Sequence, residues 1–238
     1  MKVLVIIPAY NEESTIVQTV ADLRENCPDV DYLVINDCST DHTRQKLTEG
    51  GIHCLHLPVN LGIGGGVQSG YIYAKEHDYD IAVQFDGDGQ HRADYLAKLI
   101  QPILDGQADM TVGSRFVSMD AKGFQSSAAR RIGIRFLSGL IRMVTGQRVM
   151  DVTSGFRAVN RELIAFFAQN YAQDYPEPEA IVSALKYGYR VQEVAVQMRE
   201  RQGGQSSIRA FKSVYYMIKV SMAILLAGVR IHPVGKKG

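Results

Sequence analysis

The chain has 238 residues, of which 46% are hydrophobic and 21% charged. That is enough apolar material for one sizeable core, and it excludes a disordered, collagen-like or disulfide-stapled chain. The net charge of +1 conceals an asymmetry: the first 200 residues carry −6, and the last 38 carry +7 with no acidic residue among them. A second basic stretch, residues 113–150, sets Arg115, Lys122, Arg130, Arg131, Arg135, Arg142 and Arg148 against Asp120 alone. Such stretches call for an anionic partner: phosphate groups, a lipid surface or nucleic acid. Cys27, Cys38 and Cys54 have no zinc spacing and cannot all pair, so they read as reduced thiols of a cytosolic protein. The apolar run at the start is too short for a signal peptide.

Taken in chain order, the first half alternates strand and helix. Residues 3–7 are a continuous apolar run, suited to a strand buried on both faces, and Pro8 ends it. Residues 12–25 read as a helix and 32–35 as the second strand. Residues 40–47 are a helix with Asp41 in its first turn, where an acidic group suits the dipole. Residues 52–57 are a third strand and 62–76 a helix opened by glycines. Residues 81–85 are the fourth strand, 94–104 a helix and 110–112 the fifth strand. This alternation predicts a mostly parallel twisted α/β sheet flanked by helices, with ligands at the carboxyl ends of its strands. Further on, residues 130–144 read as an amphipathic helix and 151–159 as a turn and short strand. Residues 177–187 read as a helix, 190–196 as a strand and 208–229 as a long, basic amphipathic helix.

The sharpest chemical feature is Phe85-Asp86-Gly87-Asp88-Gly89-Gln90-His91, directly after the fourth strand. Carboxylates two apart in extended chain point the same way, so Asp86 and Asp88 can share one hard cation or its water shell. An ion held by one or two carboxylates completes its shell with phosphate oxygens and water. His91 could contact a phosphate or serve a structural role; His42, His53, His56, His77 and His232 form no ligand spacing. The run Gly62-Ile63-Gly64-Gly65-Gly66 is not a dinucleotide fingerprint, because Val67 stands where a third glycine is needed. It is expected to be a loop that lets a ligand approach the backbone closely.

Other polar clusters also follow strands: Pro8-Ala9-Tyr10-Asn11-Glu12, Asn36-Asp37-Cys38-Ser39-Thr40-Asp41 and Gly113-Ser114-Arg115, with Asp151-Val152-Thr153-Ser154-Gly155-Phe156-Arg157 after the basic helix. Together with the Asp-Gly-Asp-Gly-Gln segment they resemble the inverting nucleotide-sugar glycosyltransferases of family 2, with the GT-A fold. Within that family the likeness is to the dolichyl- or polyprenyl-phosphate sugar synthases. The resemblance covers residues 3–210.

The resemblance implies that Pro8, Tyr10 and Glu12 line a nucleotide pocket, with Glu12 near the ribose and Asp37 accepting from the base. Asp86 would face the nucleotide sugar, and Asp88 and Gln90, beside Asp86, would bind Mg²⁺ or Mn²⁺ on the diphosphate. Arg115 and Arg131 would clamp the acceptor phosphate, and Arg201 would close over the donor diphosphate. Two positions depart from the family pattern: Arg135 and Ser207 stand where many relatives have Ser and Lys. Glu177 and Glu179 have two readings. In relatives that build polysaccharides a carboxylate hereabouts is the base for an acceptor hydroxyl, whereas a phosphate acceptor is already anionic and needs none. Otherwise the two position sugar hydroxyls and favour the start of the helix they open. Ser154 and Arg135 are further candidates for contacting sugar or acceptor.

The expected activity is transfer of a hexose, with glucose from UDP-glucose favoured, to a polyprenyl (undecaprenyl or dolichyl) phosphate. A UDP or GDP sugar is the donor, and the site lies at the cytoplasmic face of the cell membrane. Residues 1–207 would be the catalytic domain and 208–238 a membrane-surface helix and tail. A homo-oligomer or a small membrane subunit is a further expected partner, and nucleic acid is not. A family 2 transferase with a sugar-hydroxyl acceptor is the alternative enzyme. A non-catalytic lipid- or nucleic-acid-binding module on a decayed transferase is the alternative of another class. A sugar nucleotidyltransferase would carry a Gly-rich basic loop after its first strand, where this chain has Pro8-Ala9-Tyr10-Asn11-Glu12.

Overall fold

The structure is a computed structural model, and it describes residues 1–117, 128–199 and 210–230. Arg201, Ser207 and the boundary expected at 207/208 lie outside the described residues. One seven-stranded sheet runs β3 (Cys54–His56), β2 (Asp31–Asn36), β1 (Val3–Ala9), β4 (Ile81–Gln84), β6 (Arg157–Asn160), β5 (Met110–Ser114), β7 (Val191–Ala195). All pairings are parallel except those of β6, which runs antiparallel to both β4 and β5.

β1 is central, and its alternate side chains feed two cores, as the period of a strand requires. Leu4 and Ile6 join one core with residues of helices α3 (Gly62–Glu76), α5 (Ala128–Thr145), α6 (Arg161–Phe167), α7 (Pro176–Lys186) and α8 (Ala210–Arg230). Val5 and Ile7 join the other with α1 (Ile16–Asn26), α2 (Thr43–Glu49) and α4 (Leu96–Leu104). β1 continues through Pro8, which pairs only with Ile35 of β2, because pairing with β4 ends at Ile6 and Gln84. The missing proline N–H therefore breaks no ladder bond on the β4 side.

α1 and α2 start later than expected because the preceding loops tie to each other. Asn11 has φ 56°, and its side-chain oxygen accepts the Thr40 N–H at 2.8 Å, while its own N–H donates to Ser39 Oγ at 3.0 Å. The Glu12 N–H donates to Thr43 Oγ1 at 2.9 Å. Asp41 stands before α2 rather than in its first turn, accepting the Thr43 N–H at 2.9 Å. The glycine run is not a loop but the first turns of α3. A Cβ at Gly64 would lie 2.3 Å from the Ala172 carbonyl oxygen, so a bare backbone is what lets residues 172–173 pack there. α6 was not foreseen from the sequence; Asn160 caps it, accepting the Leu163 N–H at 3.0 Å, with Glu162 in the first turn.

α8 lies against α5 and α7 with Val220 and Ile224 buried. A Cβ at Gly133 would touch Met217, and one at Gly228 would touch Val144, so α5 and α8 run side by side in the same direction. Among the described residues no helix is long and apolar enough to cross a membrane.

Candidate active site

The carboxyl ends of β1, β2 and β4 reach one edge of the sheet. β6 starts there, with Arg157 paired to Gln84, because it runs the other way. At this edge a cavity of about 530 Å³ is lined by Pro8, Tyr10, Glu12, Asp37, Asn60, Asp86, Asp88 and Glu177, among others. Five of those side chains are carboxylates, so the cavity suits a ligand that brings cations or sugar hydroxyls.

Asp37 is buried at the end of β2. Its N–H donates to the Ala9 carbonyl at 2.9 Å, and Oδ1 accepts the Leu61 N–H at 2.7 Å. Oδ2 makes no hydrogen bond among the described residues and can accept from a ligand. Glu12 is buried and lines the same cavity, and its Oε2 accepts from Thr15 Oγ1 at 3.0 Å. Tyr10 is half exposed beside it.

Asp86 is walled on several sides. Gln84 Nε2 donates to its Oδ1 at 3.3 Å. Its backbone N–H donates to His91 Nδ1 at 2.9 Å, which leaves the ring proton on Nε2, 3.6 Å from Asp86 Oδ2. His91 is buried and stacks on Phe156 at 4.9 Å, so of its two readings the structure supports the structural one. A Cβ at Gly155 would fall 2.7 Å from Asp86 Oδ2. Burial pushes the Asp86 carboxyl above the ordinary range; His91 opposes this, and the neighbouring Asp88 charge adds to it.

Asp88 is buried. Its Oδ1 accepts the Gln90 backbone N–H at 3.0 Å, and its Oδ2 accepts from the Gln90 amide at 2.5 Å. Among the described residues no three His, Cys, Asp or Glu cluster as a ready-made metal cage. Two adjacent carboxylates nonetheless fit a Mg²⁺ or Mn²⁺ ion that takes its other ligands from a diphosphate. The mutual repulsion of Asp86 and Asp88 is what such an ion would relieve. Gln90, the other residue expected at the ion, donates to both oxygens of Asp88.

Arg157 is fully buried and, among the described residues, bonds only carbonyls: Nε to Ser154 at 2.6 Å, Nη1 to Glu177 at 2.5 Å and Nη2 to Val152 at 3.3 Å. It ties the 151–155 loop to the start of α7, and its charge opposes the burial that raises the Glu177 carboxyl. Glu177 lines the cavity; Glu179, two residues on in the same helix, is not among its lining residues. Ser154 Oγ is buried and makes no hydrogen bond among the described residues.

The expected acceptor residues lie apart from this cavity's lining. Arg115 leaves β5 and is held bidentate by the fully buried Asp151, through Nε at 2.7 Å and Nη2 at 2.8 Å. Arg131 and Arg135 follow in α5, Arg135 exposed. Asp151 and Arg157 stand in a motif quoted from the sequence, but Arg115, which Asp151 holds, and Glu177, whose carbonyl Arg157 reaches, lie 36 and 20 residues away, beyond any local signal.

A parallel sheet broken by one reversed strand, with an Asp-Gly-Asp loop over a carboxylate-lined cavity at its carboxyl edge, defines a GT-A-fold glycosyltransferase. The chain belongs to glycosyl transferase family 2, whose family profile matches residues 4–167. It is 29% identical over 220 residues to an undecaprenyl-phosphate mannosyltransferase of Micrococcus luteus, covering 87% of this chain and 88% of that one. It is 28% identical to a UDP-N-acetylglucosamine–dolichyl-phosphate N-acetylglucosaminyltransferase of Methanococcus voltae, covering 94% and 98%. Among solved structures, glucosyl-3-phosphoglycerate synthase from Mycobacterium tuberculosis, in complex with Mg²⁺ and UDP, matches with TM-score 0.74 at 22% identity, over 98% of this chain and 81% of that one.

Proposed function

We propose that this chain transfers a hexose from a nucleoside-diphosphate sugar to a polyprenyl phosphate, with inversion and with a divalent cation. The observation that carries the reading is that Asp37, Asp86 and Asp88, from the ends of two neighbouring parts of one sheet, line a single cavity. The named substrates of the curated relatives support a lipid-phosphate acceptor. A UDP or GDP base would meet Asp37 and its ribose Glu12. Asp88 and Asp86 would hold Mg²⁺ or Mn²⁺, which when bound supplies charge neutralisation for the leaving diphosphate. Asp86 orients the sugar, held by Gln84, His91 and the bare backbone at Gly155. Arg201 adds cationic charge at the diphosphate. The acceptor phosphate, steered by Arg115 and Arg131, attacks the anomeric carbon and displaces the nucleoside diphosphate. No proton needs removing from it.

The catalytic part would span 1–207, and 208–238 would rest on the cytoplasmic membrane surface. Together α5 and α8 expose Phe136, Met143, Ile218, Met222 and Leu226 beside Arg135, Arg142 and Lys219, and neither helix contains an acidic residue. That mixture suits an anionic lipid interface. UDP-glucose is the favoured donor. Incubating the chain with a panel of nucleotide sugars and undecaprenyl phosphate, followed by mass spectrometry of the lipid fraction, tests the reading. One donor should yield a hexosyl-phosphate lipid, and no glycosylated lipid from any donor would refute it.

A second reading has one observation in its favour. Glu177 lines the cavity and burial raises its carboxyl, as suits a base acting on a sugar hydroxyl. Glu177→Gln distinguishes the two: nearly silent with a phosphate acceptor, and costly by about 10²–10⁴-fold with a hydroxyl acceptor.

A further inference from the structure

Glu193 belongs to β7, and no residue lining the donor cavity comes from that strand. Both its carboxylate oxygens are nonetheless committed to one turn of backbone. Oε2 accepts the Met150 N–H at 2.7 Å, and Oε1 accepts the Asp151 N–H at 2.8 Å. That turn presents Asp151, which receives the Arg115 backbone N–H at 3.1 Å as well as the two guanidinium bonds. Arg115 Nη2 also reaches Thr153 Oγ1 at 3.3 Å. A guanidinium can meet oxyanions along more than one edge. Asp151 takes the Nε–Nη2 edge. Thr153 Oγ1 meets the other Nη2 hydrogen, so the part of the guanidinium left for an oxyanion is Nη1, which makes no hydrogen bond among the described residues.

We propose that Glu193 is a positioning residue for anion recognition by Arg115. By fixing the 150–151 turn it fixes Asp151, and Asp151 in turn fixes which part of the guanidinium a phosphate monoester meets. The inference rests on the reading of Arg115 as the acceptor-phosphate contact. Only a carboxylate serves both N–H groups, since an amide in its place brings one acceptor oxygen and an NH₂ that faces a donor.

The test uses the full chain carrying Glu193→Gln or Glu193→Ala, with thermal melts to establish folding, and it has two readouts. The first is the Arg115 Nε–H signal in ¹⁵N NMR, identified by its loss in Arg115→Lys; its exchange with water should quicken by about tenfold in the variants. The second is steady-state transfer to a short-chain prenyl phosphate. The acceptor KM should rise about tenfold, while kcat and the nucleotide-sugar KM hold within about twofold. An unchanged Nε–H signal in a folded variant overturns the proposal. So does a fall in kcat at unchanged acceptor KM. If the wild-type chain glycosylates no prenyl phosphate yet the Nε–H signal responds as expected, the acceptor reading fails while the hold of Glu193 on Arg115 stands.

Discussion

Gly155→Ala places one methyl group against the Asp86 carboxylate, which the proposed function sets facing the sugar. The new Cβ would lie 2.7 Å from Asp86 Oδ2, 3.0 Å from Oδ1 and 3.1 Å from Cγ. Ordinary contact begins near 3.4 Å, so the carboxylate must retreat by several tenths of an ångström. Gln84 holds one oxygen and His91, stacked on Phe156, stands behind the other, so the carboxylate would swing toward the cavity and away from these partners. A misplacement approaching 1 Å in a reacting constellation costs about 10²-fold in rate. The strain itself should be about 1–3 kcal/mol, the usual range for overpacking, which is a fall of roughly 2–12 °C in melting temperature for a chain of this size. Asp37 and Glu12 are untouched, so affinity for the free nucleoside diphosphate should hold within about threefold while kcat falls about 10²-fold. Steady-state kinetics of sugar transfer, with calorimetric titration of UDP and GDP, reads both. A folded Gly155→Ala chain with wild-type kcat would refute the placement of Asp86 against the sugar.

Other substitutions probe separate parts of the account. Asp88→Ala should abolish turnover without unfolding the chain, and excess chelator should do the same to the wild type; activity surviving either is the contrary outcome. Asp37→Ala should weaken nucleoside-diphosphate binding by about tenfold or more, the loss of a hydrogen bond to a charged group, read by titration calorimetry. The Glu177 carboxyl is raised by burial, so the folded state binds its proton more tightly than the unfolded chain does. The ionised form therefore costs stability at neutral pH, and the cost disappears as the pH falls below the ordinary glutamate value. Glu177→Gln should melt higher than wild type at pH 7–8, with the gap closing on acidification; a gap that widens instead contradicts the burial argument. Asn160→Ala removes the cap of α6 and should cost about 1 kcal/mol, seen as a lower melting temperature with unchanged kcat.

The alternation of the first half was legible because apolar runs and polar clusters succeed each other within short windows, and the clusters at Pro8–Glu12, Asn36–Asp41 and Asp86–Gln90 do fall at one sheet edge. What depends on distant partners was not legible. The reversal of β6 has no local signature, yet it delivers Gly155 and Arg157 to the end of β4. The late start of α1 follows from Asn11 reaching across to Thr40. Arg115 reads in the sequence as one cation of a basic stretch awaiting an anionic partner, and its commitment to Asp151 and, through that turn, to Glu193 spans about 80 residues of chain. The short α6 did carry a signal, an Asn-Arg-Glu start ahead of Leu163, Ile164 and Phe167, too brief to stand out by periodicity.

In the proposed reaction the acceptor is a lipid phosphate and the donor sits over the Asp86–Asp88 pair. The most direct measurement is transfer of labelled hexose from its nucleotide to undecaprenyl phosphate with Mg²⁺, comparing the wild-type chain with Asp88→Ala and Arg115→Ala. Labelled lipid should form with the wild type only, with the sugar's anomeric configuration opposite to that in the donor. Equal labelling by all three proteins, or retained configuration in the product, would contradict it.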